Sequence, residues 1–231
     1  MFRILALAVT SLFSIGSANA ADLIIGDPSA PVVLTAAGFD WTGFYAGING
    51  GYTSGQAASV GVVTFVTTNV PITGGMLGVN AGYNAQFSNF VLGVEGDVAW
   101  SGASGSAVCT ANAAYTCQGA LNWLGTIKGR AGIVVDSLLF FGTAGLAVGG
   151  ATASLNPVAP GLTSTYSGTM TGWTVGGGVE VAVTEAISVK AEYSYFSMGG
   201  LQAPVGTLSG VQASDLSSIN HVVKVGVNFH F

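Results

Sequence analysis

Residues 77–100, LGVNAGYNAQFSNFVLGVEGDVAW, decide the fold of this chain. Apolar side chains recur at every second position on both sides of the dipeptide Ser88-Asn89, with one glycine as the exception. A period of two is typical of a β-strand with one apolar face, and a two-residue connection predicts an antiparallel hairpin. In this hairpin Phe87 faces Phe90, and the apolar faces of the two strands coincide.

The same alternation recurs along the sequence. It predicts eight strands, each about as long as a tilted strand must be to cross a bilayer. Their centres are residues 44–52, 77–87, 90–100, 121–133, 140–148, 173–181, 187–195 and 223–231.

The predicted connections alternate between short and long. Tight turns are predicted at Ser88-Asn89, Asp136-Ser137 and Thr184-Glu185-Ala186, and long loops at residues 53–73, 101–118, 150–169 and 197–220. Short turns on one rim and long loops on the other are typical of outer-membrane barrels, whose short turns are periplasmic. The sequence therefore predicts an all-β fold, an eight-stranded antiparallel up-and-down transmembrane β-barrel.

Composition supports an apolar environment. Charged residues make up 6% of the 231, against about 25% in soluble domains, and mean hydropathy is +0.62. This excludes intrinsic disorder, and five Lys and Arg with a net charge of −5 exclude a basic nucleic-acid binder. A membrane helix over residues 138–153 is disfavoured, because the segment is short and contains four glycines.

The charged residues of the strands all fall on the polar face. They are Glu95, Asp97, Lys128, Arg130, Glu180, Lys190, Glu192 and Lys224. A charge facing lipid costs about 2–4 kcal/mol, so we expect these four acids and four bases to form one ion-pair network that plugs the lumen. Turn geometry places Glu180 directly opposite Lys190. A soluble β-sandwich, with charges outside, is the alternative.

The N-terminal segment has the features of an export signal. Residues 1–20 combine Arg3, an apolar stretch and the sequence Ala-Asn-Ala before the predicted cleavage site. We therefore predict a signal peptide over 1–20, a periplasmic tail over 21–40 and an outer-membrane barrel domain over 41–231.

Cys109 and Cys117 are the two cysteines of the chain. In an oxidising compartment an even pair predicts a disulfide. Metal binding is the rival, but two cysteines without adjacent histidine or carboxylate make a poor site.

One group of residues could imitate a hydrolase triad. His221 follows Asp215, Ser217 and Ser218, but proximity in sequence is not triad geometry. We favour a polar loop in which His221 marks the outer rim, and we expect His230, near the chain end, to be solvated. No nucleotide-binding glycine motif is present, so we expect no nucleotide site. We also expect no catalytic residue, metal or cofactor.

Four segments resemble a known family. Residues 41–52 (WTGFYAGINGGY), 123–132 (WLGTIKGRAG), 189–193 (VKAEY) and 225–231 (VGVNFHF) are similar to RopB-type outer-membrane proteins of alphaproteobacteria. The resemblance implies an OmpA-like barrel of the porin family, abundant at the cell surface and often a surface antigen. It also implies that the terminal aromatics, Phe229 and Phe231, act as a signal for the barrel assembly machinery.

Outward aromatics fit belts at both membrane interfaces: Phe87, Phe90, Phe229 and Phe231 at the periplasmic rim, and Tyr52, Trp100, Trp173 and Tyr195 at the outer rim.

Taken together, the strands, the charges and the resemblance predict a monomeric, non-enzymatic structural and surface barrel of the cell outer membrane, in contact with outer-membrane lipid and lipopolysaccharide. A narrow small-solute channel and a lipid-modifying barrel enzyme are the alternatives.

Overall fold

The computed structural model describes residues 39–61, 67–110, 112–158, 163–204 and 214–231. The predicted signal peptide, and the predicted tail up to residue 38, lie outside the described residues. No helix with the length and hydropathy of a membrane span is present in the described part of the chain.

Eight antiparallel strands form a closed barrel in which each strand pairs with its neighbours in sequence and β8 pairs with β1. The strands are β1 (Gly43–Gly61), β2 (Thr67–Phe87), β3 (Phe90–Val108), β4 (Tyr115–Val135), β5 (Leu138–Pro157), β6 (Ser164–Ala182), β7 (Ile187–Ala203) and β8 (Ser214–His230). The predicted fold class is confirmed. Closure leaves no strand edge exposed to lipid, where unpaired backbone groups are costly.

The predicted short turns and their register are also confirmed. Phe87 pairs with Phe90 across the first turn, and Val135 pairs with Leu138 across the second. The first residue of the Ser88-Asn89 turn has a φ of 59°, the left-handed conformation that tight hairpin turns require.

The predicted long loops are wrong, because the strands continue through most of these residues. The strands contain 17 to 21 residues, about twice the 9–11 that a bilayer requires. β1 ends at Gly61 and β2 begins at Thr67, while β7 ends at Ala203 and β8 begins at Ser214. The barrel wall is therefore about twice as long as a bilayer crossing requires, and the extra length lies at the end opposite the short turns.

The polarity of the two faces inverts along β2, so the sequence pattern of the lower part does not predict the extension. In the lower part of β2, Leu77 and Val79 face outward and Asn80 lies inside, as predicted. In the upper part, Val70 and Ile72 are buried inside. The alternation continues, but the apolar residues change sides where the surroundings change from lipid to water.

A β-bulge in β4 corrects a second expectation. The register between β4 and β5 shifts between Leu121 and Trp123, which turns Leu121 into the lumen, where it is 2% exposed. Asn122 lies outside and donates a hydrogen bond to Thr152. Leu121 was predicted on the lipid-facing side with Trp123, and the extra residue of the bulge separates the two faces.

Candidate functional site

The structure brings all eight predicted lumen charges together inside the barrel. Each is buried, with at most 4% of its surface exposed. The residues come from five strands: Glu95 and Asp97 from β3, Lys128 and Arg130 from β4, Glu180 from β6, Lys190 and Glu192 from β7, and Lys224 from β8. Residues two apart on one strand lie on the same face. All eight charges lie on the polar face of their strand, and that face lines the lumen.

Four of these side chains form a ring in the lumen. Lys128 Nζ lies 3.1 Å from Glu95 and 2.6 Å from Glu192. Lys190 Nζ lies 2.6 Å from Glu95 and 3.6 Å from Glu192. Each cation thus contacts both carboxylates, and the ring is neutral as a whole.

The remaining charges form two pairs. Arg130 pairs with Glu180, whose carboxylate also accepts a hydrogen bond from Asn228 Nδ2 at 2.6 Å. Lys224 Nζ lies 3.0 Å from Asp97. The predicted register is confirmed, since Glu180 is the Cα partner of Lys190, but the ion pair of Glu180 is with Arg130.

Uncharged residues that the sequence analysis did not single out join the ring and the pairs into one network. The Tyr45 hydroxyl donates to Glu95 at 2.9 Å and accepts from Arg130 at 3.4 Å. Asn49 donates to Asp97 at 2.8 Å and to Asn80 at 3.1 Å. Asn80 in turn donates to Asn228, the partner of Glu180. The sequence signal that could have identified these residues was asparagine at inward-facing positions of strands that are otherwise apolar.

Apolar layers lie on both sides of this network. On the outer side a cluster of buried residues fills the extended barrel, including Ile72, Leu124 and Phe196. On the periplasmic side Trp41 is fully buried and packs with Leu139. The charged layer is therefore bounded by apolar side chains along the barrel axis.

His230 belongs to the periplasmic end of the lumen, so the expectation that it is solvated is wrong. Its side chain is 9% exposed, and its Nε2 lies 2.9 Å from Ser188 Oγ. Its ring contacts Phe39 and Trp41, with centroids 5.1 and 5.6 Å apart. The chain entering β1 covers the imidazole, a long-range contact that local sequence does not reveal.

The triad-like residues do not assemble. They lie in β8 and not in a loop, so alternate residues face opposite sides of the wall. Ser218 is buried inside and accepts a hydrogen bond from Asn220 at 2.7 Å. His221 is exposed outside, where its Nδ1 lies 2.7 Å from the Tyr193 hydroxyl. No serine–histidine contact occurs among Asp215, Ser217, Ser218 and His221.

Cys109 and Cys117 form a disulfide with Cα atoms 5.2 Å apart. The bridge lies at the tip of the β3–β4 hairpin, where Cys117 pairs with Ala107. Cys109 N also donates to the Tyr115 carbonyl at 3.0 Å. The predicted bond therefore joins the residue that follows β3 to β4, beside backbone hydrogen bonds that already connect the two strands.

Outward aromatics mark both limits of the lipid-facing surface. Phe90 and Trp100, ten residues apart on β3, are 42% and 63% exposed. Ten strand residues span roughly 33 Å, or about 25 Å vertically at the usual tilt, the height of an outer-membrane apolar band. At the periplasmic limit the rings of Phe229 and Phe231 lie 5.0 Å apart, and Phe231 N donates to the Phe44 carbonyl.

Known proteins agree with this architecture. The outer membrane protein beta-barrel domain family matches residues 6–231. A 31 kDa outer-membrane immunogenic protein of Brucella melitensis is 34% identical over 247 aligned positions that cover all of both chains. A 22 kDa outer membrane protein of Rhizobium leguminosarum is 33% identical over 83% of this chain and 78% of its own.

A solved structure shares the fold. The outer membrane protein OprG of Pseudomonas aeruginosa has a TM-score of 0.51 and 12% identity, over 82% of this chain and 96% of that one. Sequence, architecture and relatives all place the protein in the outer membrane. The chain belongs to the outer membrane protein beta-barrel domain family, as its resemblance to RopB-type proteins implied.

Proposed function

We propose that this protein is a non-enzymatic structural barrel that stabilises the outer membrane, presents its outer tip at the cell surface and does not conduct solutes. The observation that carries the proposal is the pairing of every predicted lumen charge between two apolar layers. Four acids and four bases neutralise one another there, and apolar residues lie on both sides of them.

The energetics support a permanent seal over a gated pore. An eight-stranded barrel leaves room for side chains and little else. Opening a path along the axis would separate Lys128 and Lys190 from their carboxylates, and each unpaired buried charge costs several kcal/mol. The apolar cluster that includes Leu124 and Phe196 would also have to move.

The surface role rests on the extended barrel and on the relatives. The two closely similar proteins described above are named as outer-membrane proteins, one of them immunogenic, and the strands reach well beyond the lipid-facing band. We infer that the disulfide-linked β3–β4 tip is part of the exposed surface. We further propose a monomer surrounded by outer-membrane lipid and lipopolysaccharide, inserted by the barrel assembly machinery.

Planar-bilayer recording tests the proposal. We expect the unmutated protein to give no steady conductance under conditions in which a general porin conducts. A variant that removes one cation and one carboxylate from the ring, Lys190→Ala with Glu95→Ala, is the matched control for detecting a widened lumen. Steady, large conductance of the unmutated protein would favour the channel function.

A lipid assay addresses the enzymatic alternative. Purified protein incubated with labelled lipopolysaccharide or phospholipid should release no acyl chain or headgroup. Turnover that survives repurification and disappears in His221→Phe would overturn the non-enzymatic assignment.

A further inference from the structure

An aromatic cluster with one imidazole lies on the outer surface of the barrel wall. It consists of Trp173, Tyr193, Tyr195 and His221, and is called the His221 cluster below. The Tyr193 hydroxyl lies 2.7 Å from His221 Nδ1, and the Tyr195 and His221 rings meet edge to face at 5.4 Å. Trp173 extends the group, with its ring 5.5 Å from that of Tyr195.

The cluster lies at the upper limit of the lipid-facing band. Below His221 on β8, the outward residues run from Val223 to Phe229 and are all apolar. Above it, beyond Ile219, the outward residues are Ser217 and Asp215. With the short turns in the periplasm, this height is that of the headgroups of the outer leaflet.

The polar atoms of the cluster are available to a ligand. Because Nδ1 of His221 is engaged by Tyr193, Nε2 is left to face an external group, and it makes no hydrogen bond within the described residues. The Tyr195 hydroxyl and Trp173 Nε1 likewise make none there. All three can donate a hydrogen bond, and His221 is exposed while Trp173 is 50% exposed.

The rest of the outer surface offers no stronger partner for an anion. After Arg3 the sequence contains four Lys and Arg residues, and Lys128, Arg130, Lys190 and Lys224 are all buried in the lumen. The one acidic residue on the outward face of β8, Asp215, lies six residues above His221, roughly 20 Å away along the strand. His221 is thus the one basic side chain of the outer half that can face a headgroup.

We propose that the His221 cluster binds a phosphate of the phosphorylated glycolipid of the outer leaflet, lipopolysaccharide. His221 Nε2 donates to a phosphate oxygen, Tyr193 fixes the imidazole, and Tyr195 and Trp173 pack against the sugar and donate to its oxygens. The inference deepens the proposed function and rests on its orientation of the barrel. It commits to the glycolipid because aromatic rings that flank a phosphate donor suit a sugar phosphate better than a phospholipid.

Imidazole NMR provides a direct test. The chain has two histidines, His221 outside and His230 in the lumen, so one spectrum of ring-¹⁵N-labelled protein in detergent contains both the probe and its internal control. Titration with bis-phosphorylated lipid A should shift the His221 Nε2 signal to saturation and leave His230 unchanged. Dephosphorylated lipid A should bind about tenfold more weakly, as expected for loss of a charge-assisted hydrogen bond.

Variants separate recognition from general lipid contact. His221→Phe, which keeps a ring, should weaken binding of phosphorylated lipid A about tenfold, measured by native mass spectrometry of the folded barrel. Tyr193→Phe should weaken it less, and Tyr83→Phe, which removes a hydroxyl from the periplasmic half, should leave it unchanged.

Two outcomes would overturn the inference. The first is an unshifted His221 signal, or binding of phosphorylated lipid A by His221→Phe that equals that of the unmutated protein. In both cases the protein must be shown to be folded by its heat modifiability. The second is an equal shift with phosphatidylglycerol, which would show that the cluster recognises any lipid phosphate. Neither outcome bears on conductance, so failure here is distinguishable from failure of the proposed function.

Discussion

Glu180 pairs with Arg130 across the lumen, although the strand register places it directly opposite Lys190. Arg130 lies on β4, two strands away from β6, whereas Lys190 is on the neighbouring strand. In a narrow barrel the inward side chains converge on the axis. A long side chain can therefore contact the opposite wall of the lumen as readily as the neighbouring strand. Stability should therefore follow the pairs across the lumen.

A comparison of double variants tests this pairing. Lys190→Met should destabilise the barrel by about 3–5 kcal/mol, because the buried carboxylates of Glu95 and Glu192 are then left with one cation, Lys128, between them. Adding Glu95→Gln should recover part of the loss, since Lys128 and Glu192 then remain as a neutral pair. Adding Glu180→Gln instead should increase the loss of stability, because Arg130 then loses its partner. Urea unfolding of refolded protein measures the differences, and recovery with Glu180→Gln but not with Glu95→Gln would contradict the pairing.

The outer apolar layer should behave as a packed core. Leu124 is 2% exposed inside the barrel and Leu146 is 72% exposed on the lipid face, which gives a matched pair of leucines. Leu124→Ala should cost about 3–5 kcal/mol because it leaves a cavity, whereas Leu146→Ala should cost only the transfer term of about 2 kcal/mol. Equal losses in urea unfolding would indicate a hollow, hydrated outer section.

The disulfide should be dispensable for assembly. Cys109 and Cys117 are eight residues apart, so the chain-entropy model assigns the bridge about 2–3 kcal/mol. The β3–β4 ladder already pairs Val108 with Thr116, which limits the effect to the tip. Cys109→Ser with Cys117→Ser should insert as a heat-modifiable barrel and be cleaved faster by protease at this tip. Loss of the folded band on a gel would show that the bridge is required for folding.

Deletion of Phe231 separates an assembly signal from an interfacial anchor. Phe231 is 77% exposed, and its ring packs only on Phe229 among the described aromatic contacts. If it is a signal, the deletion should lower insertion in cells and leave refolding into liposomes nearly normal. An anchor would lose about 1.5–3 kcal/mol of apolar burial, and both measurements would fall together. Unchanged surface levels would exclude the signal function.

Local sequence was sufficient to predict the membrane-embedded half of the barrel. The alternation around Ser88-Asn89 predicts both the strands and their register, because a shift by one residue would turn every apolar side chain to the wrong face. The eight charges could be placed in the lumen for the same reason. Successive side chains of a strand alternate between the two faces, so a residue an even number of positions from an inward-facing residue also faces inward. Lipid excludes charge from the opposite face.

The tertiary structure alone decided how far the strands extend and which side chains meet. Val70 and Ile72 alternate with Asn69, Pro71 and Thr73, and only the closed barrel shows that their face is the interior. The bulge at Leu121 and the covering of His230 by Phe39 depend on neighbouring strands and on distant chain segments. Pairing of Glu180 with Arg130 likewise required the closed barrel, because its curvature brings together strands that share no hydrogen bond.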